Sequence, residues 1–172
     1  IAIDGKTSRR SHNDGDHPLH LVSAWAQKNN VVLGQLKTEE KSNEITAIPK
    51  LLSMLVIKGC IITIDAMGCQ KAIAEQIIEQ KANYMLALKG NQGTIHQAVK
   101  QLFKEKPIHA AVHEERSTGH GRSEIRTCTR LVLDENTLHT KEMQQWKNLK
   151  SVIQIESERI VKGKTTKEKR YY

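Results

Sequence analysis

Two short apolar runs that each end in an aspartate constrain this chain more than any other feature in it. Ile1-Ala2-Ile3 runs into Asp4-Gly5, and Cys60-Ile61-Ile62-Thr63-Ile64 runs into Asp65. Both runs are β-branched and too short for a helix, so both read as strands closed by an acid. Between them, residues 20–26 and 31–37 are two further strand candidates, separated by the turn-like Gln27-Lys28-Asn29-Asn30. The polar stretch 8–18 reads as a loop. Ser42 and Asn43 suit a helix N-cap, and Glu44 suits the positive end of that helix. Its apolar residues Ile45, Ile48, Leu51, Leu52 and Leu55 recur at helical spacing. Pro49 lacks a backbone donor, so a kink or restart is expected there.

After Asp65, the stripe Ile73, Ala74, Ile77 and Ile78 predicts a second helix, and residues 84–88 a strand. Ile95, Ala98, Val99, Leu102 and Phe103 predict a third helix. Beyond Pro107 the periodicity moves to strands, over 123–133, 151–161 and 168–172. An antiparallel start followed by βαβ units gives an α/β fold, a mixed sheet covered by helices. That is the order of a ribonuclease-H-like core. The predicted organisation is one domain over 1–172, with the core in 1–106 and a β-rich insertion in 107–172 that leads back to it. The chain opens inside one predicted strand and stops at Tyr171-Tyr172 in another, so both ends are expected to be cuts in a longer protein.

Lys and Arg number 27 against 19 Asp and Glu, a formal charge of +8 that favours a polyanion, most commonly nucleic acid. On charge alone, a basic surface that serves only solubility fits as well. The three cysteines (Cys60, Cys69 and Cys128) form no C-x-x-C pair, which excludes a disulfide framework or thiolate zinc site and fits a reducing cytoplasm. No apolar run is long enough to span a membrane, and no signal-peptide pattern is present.

A lone strand-end aspartate is ordinarily a cap or turn residue. Two of them at one sheet edge are a different matter. Close carboxylates repel and raise each other's pKa unless a cation neutralises them. Hard divalent ions such as Mg²⁺ prefer such oxygen ligands, and a pair of ions can support in-line attack at phosphorus. Glycine follows each acid, in Asp4-Gly5 and Asp65-Ala66-Met67-Gly68. Close backbone approach to a ligand and simple turn-making both account for these glycines.

Four blocks carry a family pattern: Ile1-Ala2-Ile3-Asp4-Gly5-Lys6, Lys41-Ser42-Asn43-Glu44-Ile45-Thr46-Ala47-Ile48-Pro49, Ile64-Asp65-Ala66-Met67-Gly68-Cys69-Gln70 and Leu88-Lys89-Gly90-Asn91-Gln92. With His120-Gly121-Arg122-Ser123-Glu124-Ile125-Arg126, they closely resemble the insertion-sequence transposases that include the H-repeat-associated proteins. The resemblance implies a ribonuclease-H-like DDE catalytic domain that uses Mg²⁺ or Mn²⁺ to cut and join DNA at element ends, as a homo-oligomer when active. Asp4 and Asp65 match its first two acids. For the third, the resemblance implies a glutamate on a helix beyond Tyr172; Glu124 is the alternative within the chain. The ordinary role for Glu124 is a strand residue paired with Arg122 or Arg126.

Lys6, Arg9 and Arg10 follow the first acid, where a scissile phosphate would sit. Lys89 and Asn91 follow a strand end expected on the same edge. Arg122 and Arg126 share one face of a strand. All are candidates to hold DNA phosphates, and all suit ordinary solvated positions too. His109 and His113 have the spacing of a helical zinc pair, with no cysteine or acid placed to complete it. Two functional classes follow: a DNA transposase, or a truncated non-catalytic DNA-binding remnant of one.

Overall fold

Alternation of covered and open side chains builds the first sheet. The computed structural model describes residues 1–8, 19–38, 44–105, 110–119, 121–134 and 140–172. It divides into two units, Ile1–Ala87 and Leu88–Tyr172. In the first, β1 (Ala2–Thr7), β2 (His20–Ala26), β3 (Val31–Thr38), β4 (Ile61–Ile64) and β5 (Asn83–Leu86) form one sheet in the order β3-β2-β1-β4-β5. The β1–β2 and β2–β3 pairs are antiparallel; β4 runs parallel to both β1 and β5. This mixed sheet is compatible with a ribonuclease-H-like fold.

Ile3 pairs with Ala24 on one side and Ile64 on the other, and Ile64 pairs with Leu86, so these four share a face. All are buried, with Val22 and Ile62. Helices α1 (Glu44–Ser53) and α2 (Lys71–Glu79) touch each other; α1 packs on β2 and β3, and α2 on β5. They bury Ala47, Ile48, Leu51 and Leu52 from α1 and Ile73, Ala74 and Ile77 from α2. Each fully buried Ile or Leu contributes roughly 1.5–3 kcal/mol. The opposite face carries Ala2, Trp25, Thr63 and Met85, all at least partly exposed.

Three details differ from the sequence expectation. β1 does not end at Asp4 but continues to Thr7, because Gly5, Lys6 and Thr7 go on pairing with Val22, Leu21 and His20. The helix around Pro49 does not restart; α1 is continuous from Glu44 to Ser53. One missing donor is outweighed by four buried side chains, and the Pro49 carbonyl accepts a bond from Gln76 Nε2 at 2.9 Å. Helix α1 also stops short of Leu55, and Ile45 points outward at 41% exposure. The expected caps Ser42 and Asn43 lie outside the described residues.

In the second unit, α3 (Gly93–Lys104) precedes an antiparallel sheet of β6 (Ala111–Gly119), β7 (Arg122–Val132), β8 (Ser151–Val161) and β9 (Lys164–Tyr171), ordered β6-β7-β8-β9. The short α4 (Lys141–Gln144) lies between β7 and β8, capped by Thr140, whose hydroxyl accepts from the Met143 amide. β8 turns into β9 through Lys162 and Gly163, both at positive φ (49° and 74°), as a two-residue primed hairpin requires. Tyr171 anchors the end of β9. Its hydroxyl accepts from Gln154 Nε2 at 3.1 Å, its backbone pairs with Leu88, and its ring contacts His96 and Phe103 of α3. β structure therefore dominates the described residues after 110, and β6 is a strand with no counterpart in the sequence expectation. Among the described residues, no helix is long and apolar enough to cross a membrane.

Gly68 sits where β4 gives way to α2. A Cβ there would collide with Ile64 Cγ2 and Ile48 Cδ1, both in the core. Gly68→Ala is expected to destabilise the chain by about 1–3 kcal/mol through overpacking. A lower urea midpoint at unchanged slope checks this; an unchanged midpoint refutes it.

Candidate functional site

Asp4 and Asp65 follow the same last step of the ladder between two adjacent strands. The β1–β4 ladder pairs Ala2 with Thr63 and Ile3 with Ile64, then stops. Asp4 and Asp65 are the next residue on each strand, and neighbouring strands run roughly 4.8 Å apart. By alternation Asp4 projects from the face opposite Ile3, away from α1 and α2. It is exposed, and Lys6, on the same face, places Nζ 3.7 Å from Asp4 Oδ2.

Asp65 begins a tight turn. Its Oδ1 accepts from the Met67 amide at 3.0 Å and the Gly68 amide at 3.4 Å. Those bonds orient the carboxylate, so Asp65 is at once the turn-maker of the ordinary reading and a fixed oxygen donor. Cys69, four residues on, offers no thiolate, because burial pushes its thiol up to about 12. Two carboxylates at one edge suit a hard, largely hydrated ion. They are not a full ligand set: among the described residues, no group of three or more His, Cys, Asp or Glu is placed to hold a metal.

Sequence reasoning missed the buried polar cluster on the other side of β1. His20 Nε2 lies 2.7 Å from Glu44 Oε1, and His20 Nδ1 lies 2.8 Å from Thr7 Oγ1. In the sequence Glu44 stands out only as a helix-dipole residue. Its position opposite a strand histidine depends on a long-range pairing that no local pattern announces.

The remaining candidates fall in the second unit or outside the described residues. Arg9, Arg10, His109 and His120 are outside them. Lys89 is exposed and, with Asn91, stands at the short 3-10 turn Gly90–Gln92 that leads into α3. His113 lies on β6, a strand, so the helical spacing required for a zinc pair is absent.

Glu124 lies on β7 with only 5% of its surface exposed. Arg126 Nε donates to its Oε1 at 3.0 Å, and Arg159 of β8 approaches the same oxygen at 3.7 Å. The Arg126 hydrogen bond, with the charges of Arg126, Arg159 and Arg122, holds its carboxyl below the usual 4.5. Glu168 of β9 is likewise held low, first by its hydrogen bond from Arg170. Arg122, Glu124, Arg126, Arg159, Glu168 and Arg170 share one face of the sheet by register.

Comparison with known proteins follows the same direction. The family model described as Transposase DDE domain matches residues 1–156. The chain is 45% identical to the "H repeat-associated putative transposase YhhI" of Escherichia coli (strain K12), over 100% of this chain and 47% of that protein. It is 53% identical to the "Putative transposase YncI" of the same strain, over 73% of this chain and 53% of that protein. An "Uncharacterized protein in dhlA 3'region" of Xanthobacter autotrophicus is 40% identical, over 100% of this chain and 58% of that protein. The chain thus spans about half the length of the curated relatives it matches. No solved structure matches it.

The depressed carboxyls carry a pH signature. A group whose folded pKa lies below its unfolded value gives stability that is present above the unfolded pKa and lost as pH falls through the folded one. For Glu124 and Glu168 that window opens below 4.5. Glu124→Gln is expected to reduce amide protection in β7 and β8 at neutral pH, and to flatten its decline on acidification. Hydrogen exchange measured across that range checks both; a variant with the wild-type profile refutes the ion-pair role.

Proposed function

We propose, because this chain belongs to the transposase DDE-domain family, that it supplies the first two metal-binding acids, Asp4 and Asp65, of a DNA transposase that cleaves phosphodiesters and transfers strands at element ends. The observation that carries this reading is the β1–β4 ladder, which ends one residue before both acids. Oxygen donors so placed suit Mg²⁺ or Mn²⁺ better than a soft metal. When bound, such ions supply charge neutralisation and an activated oxygen nucleophile.

The chain's own residues do the rest. Asp65 presents a carboxylate already oriented by two amides. Lys6, at 83% side-chain exposure, reaches past Asp4 to hold a backbone phosphate. Arg9, Lys89, Asn91, Arg122 and Arg126 are proposed as further DNA contacts without base readout. The sheet β6–β9 is proposed as the β-rich insertion, with residues 1–106 as the core. Glu124 serves that sheet as the centre of an arginine cluster. A carboxylate already neutralised by two guanidiniums is a poor third metal ligand. The third acid is therefore proposed to come from outside residues 1–172, in line with a relative about twice as long. The active form is proposed to be a cytoplasmic homo-oligomer, and no observation favours a non-catalytic remnant.

The test is strand cleavage of element-end DNA by the full-length protein with Mg²⁺ or Mn²⁺. Asp4→Asn and Asp65→Asn are each expected to abolish cleavage and keep DNA affinity, while Glu124→Gln keeps cleavage. Cleavage by folded Asp65→Asn at the wild-type rate defeats the two-acid site; cleavage lost in folded Glu124→Gln makes that residue the third acid.

Binding by the 1–172 chain alone gives a separate check on the DNA partner. Its log affinity is expected to fall with log salt at a slope of about −0.9 per phosphate neutralised on duplex DNA. Lys6→Ala should reduce that slope by about one such contact. Affinity that does not change with salt rules out the phosphate contacts.

A further inference from the structure

The face of β1 opposite Asp4 carries a buried polar chain that the acid chemistry above does not use. His20 is 2% exposed and Glu44 3%, deep for two ionisable side chains. Burying such groups is costly unless they are paired. His20 Nε2 is hydrogen-bonded to Glu44 Oε1 at 2.7 Å, and Nδ1 meets the Thr7 hydroxyl at 2.8 Å. An exposed carboxylate at the start of α1 would gain the same helix-dipole interaction without desolvation. Helix stabilisation alone does not account for this burial.

The cluster sits on the residue after Asp4. A Cβ on Gly5 would collide with the Glu44 carboxylate, so glycine lets Glu44 lie directly on the strand backbone. That stretch of β1 needs support, because the β4 ladder ends at Ile3 and, among the described residues, 4–7 pair with β2 alone. Glu44 grips the strand at Gly5, and His20 ties the same carboxylate to Thr7, where β1 ends.

We propose that Glu44 and His20 are positioning residues, whose hydrogen-bonded pair seats on Gly5, braces the end of β1 beyond its ladder with β4 and so orients Asp4 for the ion that it and Asp65 would hold. The proposal rests on the two-acid site described under Proposed function.

The test is Mn²⁺ binding by the full-length protein, read from the electron paramagnetic resonance of free Mn²⁺, below the melting transition of every variant. Asp4→Asn is expected to remove the site. Glu44→Gln keeps the shape and is expected to weaken Mn²⁺ by about tenfold, the low end for residues that orient a metal ligand. Thr7→Val, at an exposed position, is expected to weaken it by less. A purely structural pair would lower the melting temperature and leave the metal affinity of the folded protein unchanged. Wild-type Mn²⁺ affinity in folded Glu44→Gln overturns the proposal. If that variant does not fold, unchanged affinity in Thr7→Val overturns it instead. A wild-type protein that binds no Mn²⁺, or whose binding Asp4→Asn does not alter, sinks the two-acid site itself and this proposal with it.

Discussion

Ile3 is buried between its register partners Ala24 and Ile64 on the two neighbouring strands. That position joins two kinds of structure. On one side is a meander of β1, β2 and β3, whose antiparallel pairs need only short connections; on the other is the parallel half, β4 and β5. A parallel partner for β1 requires a long return, and here β2, β3 and α1 make it up. Helix α1 can lie on that return because Val22 and Ala24 of β2, and their partners Leu36 and Gly34 of β3, share the face of Ile3 and Ile64. The placement of Asp4 beside Asp65 follows from this one junction. Slipping the ladder by one residue would reverse Asp4 into the core.

What the sequence makes legible follows the strength of its periodicity. The strands before Asp4 and Asp65 and the stripes of α2 and α3 bury apolar side chains at regular spacing, the Gln27–Asn30 turn is polar and exposed, and each is where the pattern puts it. β6 is different: all nine of its residues are exposed, so Ala111–Gly119 has no apolar alternation to read. Its strand character comes from register with β7, a tertiary fact. Pro49 misleads for a related reason, since local propensity counts one lost hydrogen bond and not the four buried side chains around it. The acids themselves were legible because each closes an apolar run. The His20–Glu44 pair was not, because its two halves lie on separate elements and neither has a local signature.

The second unit shows how a sheet with little apolar surface holds its register. Glu124 lies opposite Arg159, Glu156 opposite Lys169 and Glu158 opposite Lys167, each an ion pair across strands. Single exposed pairs of this kind contribute little. Repeated along neighbouring strands, they disfavour any slip that would set like charges opposite each other. The apolar anchoring lies at the other end of the sheet, where Val152 and Tyr171 are buried and Tyr171 meets α3. The hairpin end, around Lys162 and Gly163, is open and charged.

These contacts separate two classes of carboxylate, and the separation bears on function. Glu124, Glu156 and Glu168 each have a cationic side chain of the same unit within hydrogen-bonding reach, so their charge is largely answered before any ligand arrives. Asp65 is held by backbone amides, which orient a carboxylate and leave its net charge in place. Among the described residues, Asp4 is met by Lys6, at 3.7 Å on a long and exposed side chain that can swing to another anion. In a chain of net charge +8, carboxylates with no firm cationic partner among the described residues are the less expected arrangement. Two of them at successive ends of one ladder leave a local negative charge that a divalent ion can neutralise. A neutralised glutamate cannot take that role without first releasing its arginines, and this is the physical ground for choosing the aspartates over Glu124.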